Sequence, residues 1–246
     1  MAEEHSAVSR IYDRRADELS LDVAIHRALT RRELADVFDR RIDFVHYIGH
    51  CNDRGLACAD GELPADSLDD CAAPTFFLNA CGSFVEGLAL IRKGAIGGVV
   101  TRNRVLDRDA TRIGIEFARL IMYGFSLEQA LAIASKRSLT SYEYAVVGDG
   151  GYRLSQSDDP DPVCLSVATM EDGRFEVTTE ITPIRDIGRC YQSYLAEDGR
   201  LRLTGNPERF EIDRRSLVDF LEGVNQPVIF EGAYYWSDDL YIKLRD

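Results

Sequence analysis

Two reactive side chains close two apolar runs in the stretch from Asp43 to Cys81: His50 follows FVHYIG, and Cys81 follows TFFLNA. A thiol attacks carbon as its thiolate, and an imidazole takes up and returns a proton near neutral pH. The two together are the minimum equipment for thiolate chemistry. Positions 50 and 81 are far apart in the chain, so only tertiary structure can bring them into one crevice.

Other candidates cluster around the same stretch. Cys51 directly follows His50 and adds a second thiol. His46 lies inside the apolar run FVHYI, where a hydrogen-bonded core histidine is expected rather than a catalytic one. His46, His50, Cys51, Cys58 and Cys71 contain enough nitrogen and sulfur for a metal, yet no C-x-x-C pair exists, and a paired turn is what most structural zinc sites use. No metal and no cofactor are expected. Asp107 and Asp109, with Arg102 and Arg104, follow the apolar run IGGVVT and offer charges of both signs to a nearby cleft.

The elements that must position these residues read as alternating helices and strands. SLDVAIHRA is expected as a short strand. Thr30 opens a helix with Glu33 three residues on, a capping-box pattern, and Leu34, Val37 and Phe38 give that helix one apolar face. FVHYI and TFFL read as neighbouring parallel strands, apolar on both faces. Between them LACA, the turn Asp60-Gly61 and PADSLDD suggest a hairpin-like excursion and a short helix. Gly82 and Ser83 lead into a helix through Lys93, with Phe84, Leu88 and Ile91 on one side. IGGVVT is a third strand whose paired glycines imply close packing by a backbone or a helix.

Helices follow over Ala110 to Tyr123, capped by Asp109, and from Ser126 with Gln129; YEYAVV is a further strand. This order reads as a parallel sheet covered on both faces, with His50 and Cys81 at strand carboxyl ends, where open α/β sheets place their ligands. SQSDDPDP is a linker by composition. Beyond it VCLSVATM and FEVTTEITP flank the turn Glu171-Asp172-Gly173, followed by RLRLTG, one helical piece near Ser216 to Leu221, and PVIFEGAYYW. The expected organisation is an α/β domain over residues 1–150 and a β-rich α+β extension over 151–246.

The 246 residues carry a formal charge of −13, and Lys93, Lys136 and Lys243 are the only lysines. An Asp-rich, Arg-rich, Lys-poor composition resembles proteins of salt-loving organisms. It lacks the basic stripe that nucleic-acid binding requires, and no apolar run approaches the length of a membrane span. MAEEHSAVSR has no basic and apolar blocks of a secretory signal, so a cytoplasmic location is expected, with the six cysteines mostly reduced.

Taken in order, DFVHYIGH, GLACADGEL, FFLNAC, GLALIRKGAIGGVV, LIMYGFSLEQALAIA and YAVVGD resemble the CHAT family of caspase-like cysteine proteases. The match covers about residues 30–149. It implies a caspase-like αβα sandwich with a mostly parallel sheet and a His-Cys dyad at His50 and Cys81, in which the thiolate attacks a peptide carbonyl and the imidazole protonates the leaving amine. It also implies an oxyanion site made by the backbone amides of Cys81 and of Cys51 or Gly49, and a first specificity pocket lined by Asn79 and by loop charges such as Asp107.

Two departures stand out. The family has glycine where this chain has Cys51, and a full family domain begins with a strand and a helix for which the segment before Ser20 leaves little room. The leading expectation is a cysteine endopeptidase acting on a protein or peptide substrate, under control of a regulatory domain or subunit. The alternative is a catalytically inactive scaffold that works by protein binding, and a third is another thiol enzyme, such as an acyl transferase, on the same sheet.

Overall fold

The computed structural model describes residues 5–12, 22–136, 141–154, 162–181, 190–192, 201–203 and 208–245. The chain divides into two compact units, Met1–Ser157 and Asp158–Asp246. The linker expected at SQSDDPDP falls almost wholly outside the described residues.

In the first unit, helix α1 covers residues 5–12, while the strand expected over SLDVAIHRA is absent from its described part, residues 22–28. Among the described residues no strand pairs with that stretch. Helix α2, Arg31–Asp39, opens with the full capping box, Thr30 and Glu33 satisfying each other's backbone amides, and buries Leu34 and Phe38. Strand β1, Phe44–Ile48, leads into a small antiparallel sheet of β2 (Cys51–Asn52), β3 (Gly55–Cys58) and β4 (Gly61–Leu63), and then a 3₁₀ turn at Ala65–Ser67. Strand β5 is Thr75–Asn79, helix α3 Phe84–Arg92 and strand β6 Gly97–Thr101. Helices α4 (Asp107–Met122) and α5 (Leu127–Ala134) precede β7 (Tyr144–Gly148).

The main sheet has the order β1-β5-β6-β7. Strands β1, β5 and β6 are parallel, but β7 runs antiparallel to β6. The cause is the helix pair: α4 leads the chain away from the end of β6, α5 turns it back, and the next strand starts from the same end. Alternate residues separate two faces. Val45, Phe76, Leu78, Val100, Ala145 and Val147 pack with Leu34, Phe38 and Leu90 from α2 and α3. Phe44 and Phe77 face Phe117 of α4, with ring centroids 6.5 and 4.7 Å away.

The sheet is therefore the middle layer of an αβα sandwich. The paired glycines of β6 are needed for contact, since a Cβ on Gly97 would lie 2.4 Å from the Asp149 carbonyl oxygen and one on Gly98 would meet the Phe76 ring. His46 is a core residue of β1, stacked on Phe77 at 4.8 Å and sharing a 3.0 Å hydrogen bond with Tyr12 of α1. Burial, with His5 adding to it, lowers its pKa to about 3, so it stays neutral.

Helix α3 buries Gly87 and Leu90 and leaves Leu88 more exposed than its expected core position implied. Helix α4 begins at Asp107, earlier than expected, because Leu106 already has extended backbone and two acidic residues suit the first turn.

The second unit is a five-stranded sheet, β12-β9-β8-β13-β14, formed by β8 (Val163–Thr169), β9 (Phe175–Ile181), β12 (Glu208–Ile212), β13 (Pro227–Phe230) and β14 (Ala233–Trp236). Strands β10 (Cys190–Gln192) and β11 (Leu201–Leu203) form a separate pair. Helices α6 (Arg214–Glu222) and α7 (Ser237–Arg245) supply Leu217, Leu221 and Leu240 to a core with Leu165, Val177 and Val228. The β-rich expectation missed α7.

Candidate functional site

Strands β1 and β5 pair in parallel with Ile48 opposite Asn79. His50 and Cys81 each stand two residues beyond that pair, so equal steps carry both past the same sheet edge. The Gly49 N–H donates to the Asn79 carbonyl at 3.5 Å and extends the pairing by one residue. Past it, His50 and Cys81 line one cleft with Gly49, Asn79, Ala80, Thr101, Val105, Asp107 and Ala110.

The Cys81 side is held from several directions. Asn79 donates from Nδ2 to the Ala110 carbonyl of α4 at 2.9 Å and accepts from the Tyr144 hydroxyl of β7 at 2.8 Å. Thr101 donates its hydroxyl to the Ala80 carbonyl, while Ser83 donates to the Leu78 carbonyl at 3.0 Å and accepts the Thr101 N–H at 3.1 Å. The Val105 N–H donates to Cys81 Sγ at 3.3 Å, and the thiol donates to the Val105 carbonyl at 3.6 Å. The Cys81 N–H has no acceptor among the described residues.

The His50 side is more open. Its carbonyl accepts the Ala57 N–H at 2.9 Å, and the Tyr47 hydroxyl lies 2.9 Å from the carbonyls of both His50 and Ala57. Tyr47 is kept protonated by burial, so its hydroxyl remains a donor. The same ring explains Gly49, where a Cβ would sit 2.6 Å from the Tyr47 hydroxyl. The His50 side chain is exposed and makes no hydrogen bond to Cys81 or to any other described residue.

Cys51 is outside the cleft wall and packs against the α2/α3 core. Burial first, then the charges of Glu86 and Cys81, push its thiol up to about 11, so it is protonated at neutral pH. Glu86 is buried in α3 and accepts the Ala65 N–H at 2.5 Å. Of the four loop charges, Asp107 stands in the cleft wall, Asp109 pairs with Arg112 at 3.9 Å, and Arg102 and Arg104 are exposed. Among the described residues no group of three His, Cys, Asp or Glu side chains could hold a metal ion, and no helix is long and apolar enough to cross a membrane.

The sequence did not single out Thr101, Ser83 or Val105 as site residues. Thr101 carried a usable signal, a hydroxyl at the carboxyl end of a parallel strand. Val105 carried none, because it acts through its main chain.

No family model matches the sequence, and no curated protein is similar to it. Among solved structures, the fold is similar to that of the Arg-specific cysteine proteinase gingipain R (RgpB), with a TM-score of 0.52 and 12% identity over 86% of this chain and 59% of that one. A complex of the pro- and mature domains of RgpB from Porphyromonas gingivalis aligns at a TM-score of 0.48, with 13% identity over 83% of this chain and 60% of that one. The chain thus spans about three-fifths of these neighbours. The first likeness establishes the architecture, a caspase-like α/β fold such as gingipain R has.

Proposed function

We propose that the chain is a cysteine endopeptidase of the CHAT kind, with Cys81 as nucleophile and His50 as its proton carrier. The observation that carries this reading is that both residues, two steps past the paired Ile48 and Asn79, line one cleft. The Cys81 sulfur attacks the scissile carbonyl, its proton passing to the His50 ring. The C–N bond breaks as His50 returns the proton to the leaving amine, and water then releases the acyl group from sulfur. A bound peptide would close the gap between the two side chains, since catalytic hydrogen bonds commonly tighten only in the substrate complex.

The oxyanion would be held by the unengaged Cys81 amide. Cys51 is a better second donor than Gly49, whose N–H is already given to Asn79. The ladder bond at His50–Ala57 leaves the next rung, at Cys51, unbonded by the alternation of antiparallel pairs. Asp107, the one formal charge in the cleft wall apart from the titratable His50, favours a basic residue at the cleavage position. Gingipain R, named as Arg-specific, is a fold neighbour in keeping with that choice.

The acidic, lysine-poor composition suits a cytoplasmic protein working in concentrated salt, and a further domain or subunit would control it. A panel of fluorogenic peptides differing in the cleavage residue tests the reading in low and high salt. Arg and Lys substrates should be cut, Cys81→Ala should abolish cleavage, and Asp107→Asn should cost about tenfold in kcat/KM on them. Cleavage that survives Cys81→Ala would refute it.

One observation favours a second reading, binding without catalysis: no hydrogen bond joins His50 and Cys81. Labelling of Cys81 by a peptidyl acyloxymethyl ketone would count against that reading.

A further inference from the structure

The loop between β6 and α4 touches the candidate nucleophile directly, and a buried carboxylate at the start of β7 holds that loop. Val105 grips Cys81 through both main-chain groups, its N–H 3.3 Å from Sγ and its carbonyl 3.6 Å from it. Earlier in the same loop, the Asn103 carbonyl accepts the Gly82 N–H at 3.2 Å, joining the loop to the turn that carries the thiol. Asn103 in turn donates from Nδ2 to Glu143 Oε2 at 2.7 Å, and the Glu143 carbonyl accepts the Arg102 N–H at 2.7 Å. Glu143 is 9% exposed and immediately precedes β7.

We propose that the Val105 main-chain amide is the donor that steadies the Cys81 sulfur for attack, and that Glu143 is the positioning residue that keeps it there through Asn103. The inference rests on the reading of Cys81 as the nucleophile. An N–H directed at sulfur binds a negatively charged sulfur more strongly than a neutral one, as charge-assisted hydrogen bonds do generally. It therefore helps whenever sulfur carries charge: before attack, and again when the acyl group leaves. The bond also fixes the direction of the sulfur, a task His50 does not perform in the free protein. A remote anchor is required because the loop has no regular structure of its own, and the buried Glu143 supplies it with bonds to two consecutive loop residues.

The test is the rate at which iodoacetamide alkylates Cys81 in the full chain, followed by peptide mass mapping so that the other cysteines do not contribute. Val105→Pro removes the N–H, whereas Val105→Ala keeps it, so the first should react about tenfold more slowly than the second. Glu143→Ala should slow the reaction several-fold, and Glu143→Gln, which keeps an acceptor for Asn103, should restore most of the rate. Should Val105→Pro fail to give the native circular dichroism spectrum, the Glu143 pair decides. Equal rates for Val105→Pro and Val105→Ala, or a Glu143→Gln rate as low as that of Glu143→Ala, would overturn the inference. Alkylation needs no proteolysis. A protein that cuts no peptide yet shows these differences would refute the protease reading and leave this inference standing.

Discussion

At the end of β5, Asn79, Ala80 and the Cys81 sulfur are each bonded to another element, whereas at the end of β1 the His50 ring is exposed and has no partner among the described residues. The two strands are neighbours in register, so the contrast does not come from the sheet. It comes from the segment that each strand leads into. After β5 the chain turns at once into α3, beneath loops from β6 and α4 that supply donors and acceptors. After β1 it enters the small β2-β3-β4 sheet, pinned back by the hydroxyl of Tyr47 and the N–H of Ala57. The proposed nucleophile is thus tied to its surroundings, and the proposed proton carrier stands on an appendage.

This contrast yields graded expectations, the largest at the open end. His50→Ala should lower kcat by about 10²–10⁴-fold while leaving the urea midpoint nearly unchanged, because the ring has no packing to lose. A large loss of stability would mean that the ring is less free than its exposure implies. Next comes Cys51, with a thiol raised from 9.0 to about 11. At neutral pH it should be alkylated about a hundredfold more slowly than a thiol of the unfolded chain.

The sign for stability derives from the same shift. The folded state favours the protonated thiol, so this contribution is intact below pH 9 and is lost as pH rises from 9 towards 11. Urea unfolding of wild type and Cys51→Ala across that window should show the difference between them shrink.

At the tied end, Asn79→Ala leaves the Ala110 carbonyl and the Tyr144 hydroxyl without their partner and should cost about 2 kcal/mol of folding stability, read by urea unfolding. Tyr47→Phe removes a single hydroxyl and should cost about 1 kcal/mol. A second signature of about the same size is expected in kcat, a fall of about fivefold, since the hydroxyl holds the His50 carbonyl in place. If Tyr47→Phe instead left kcat unchanged, the appendage would not be held by that hydroxyl.

Much of the first unit was legible because its signals are local. Thr30 with Glu33 and Ser126 with Gln129 are capping boxes in both sequence and structure. TFFL has the two-faced apolar character of an inner strand and is buried throughout, whereas FVHYI, which reads the same way, is the edge strand of the described sheet with only Val45 buried; their ends still lead His50 and Cys81 to one cleft. The antiparallel course of β7 was not legible, because direction depends on how many helices intervene and where they turn.

The start of α4 at Asp107 was partly legible. Asp109 reads as the cap of a helix from Ala110 and Asp107 as a loop charge, but the extended backbone of Leu106 puts both in the first turn. Helix α7 had a readable pattern, Asp238 and Asp239 in its first turn and Lys243 and Arg245 in its last, yet the sequence reading assigned no element beyond PVIFEGAYYW, which does form strands. Within the site, the contribution of Val105 was invisible in principle, since a main-chain amide has no residue-type signature. The burial of Glu86 and Glu143 was hidden for another reason: helix and turn positions of acidic residues are usually solvated, and only packing shows otherwise.

The claim that the two strand exits form one catalytic pair is tested most directly by a peptidyl-arginyl acyloxymethyl ketone, with the modified residue identified by mass spectrometry. A single adduct at Cys81 is expected, formed about a hundredfold more slowly in His50→Ala. An adduct at Cys51, or equal labelling of Cys81 with and without the His50 ring, would contradict it.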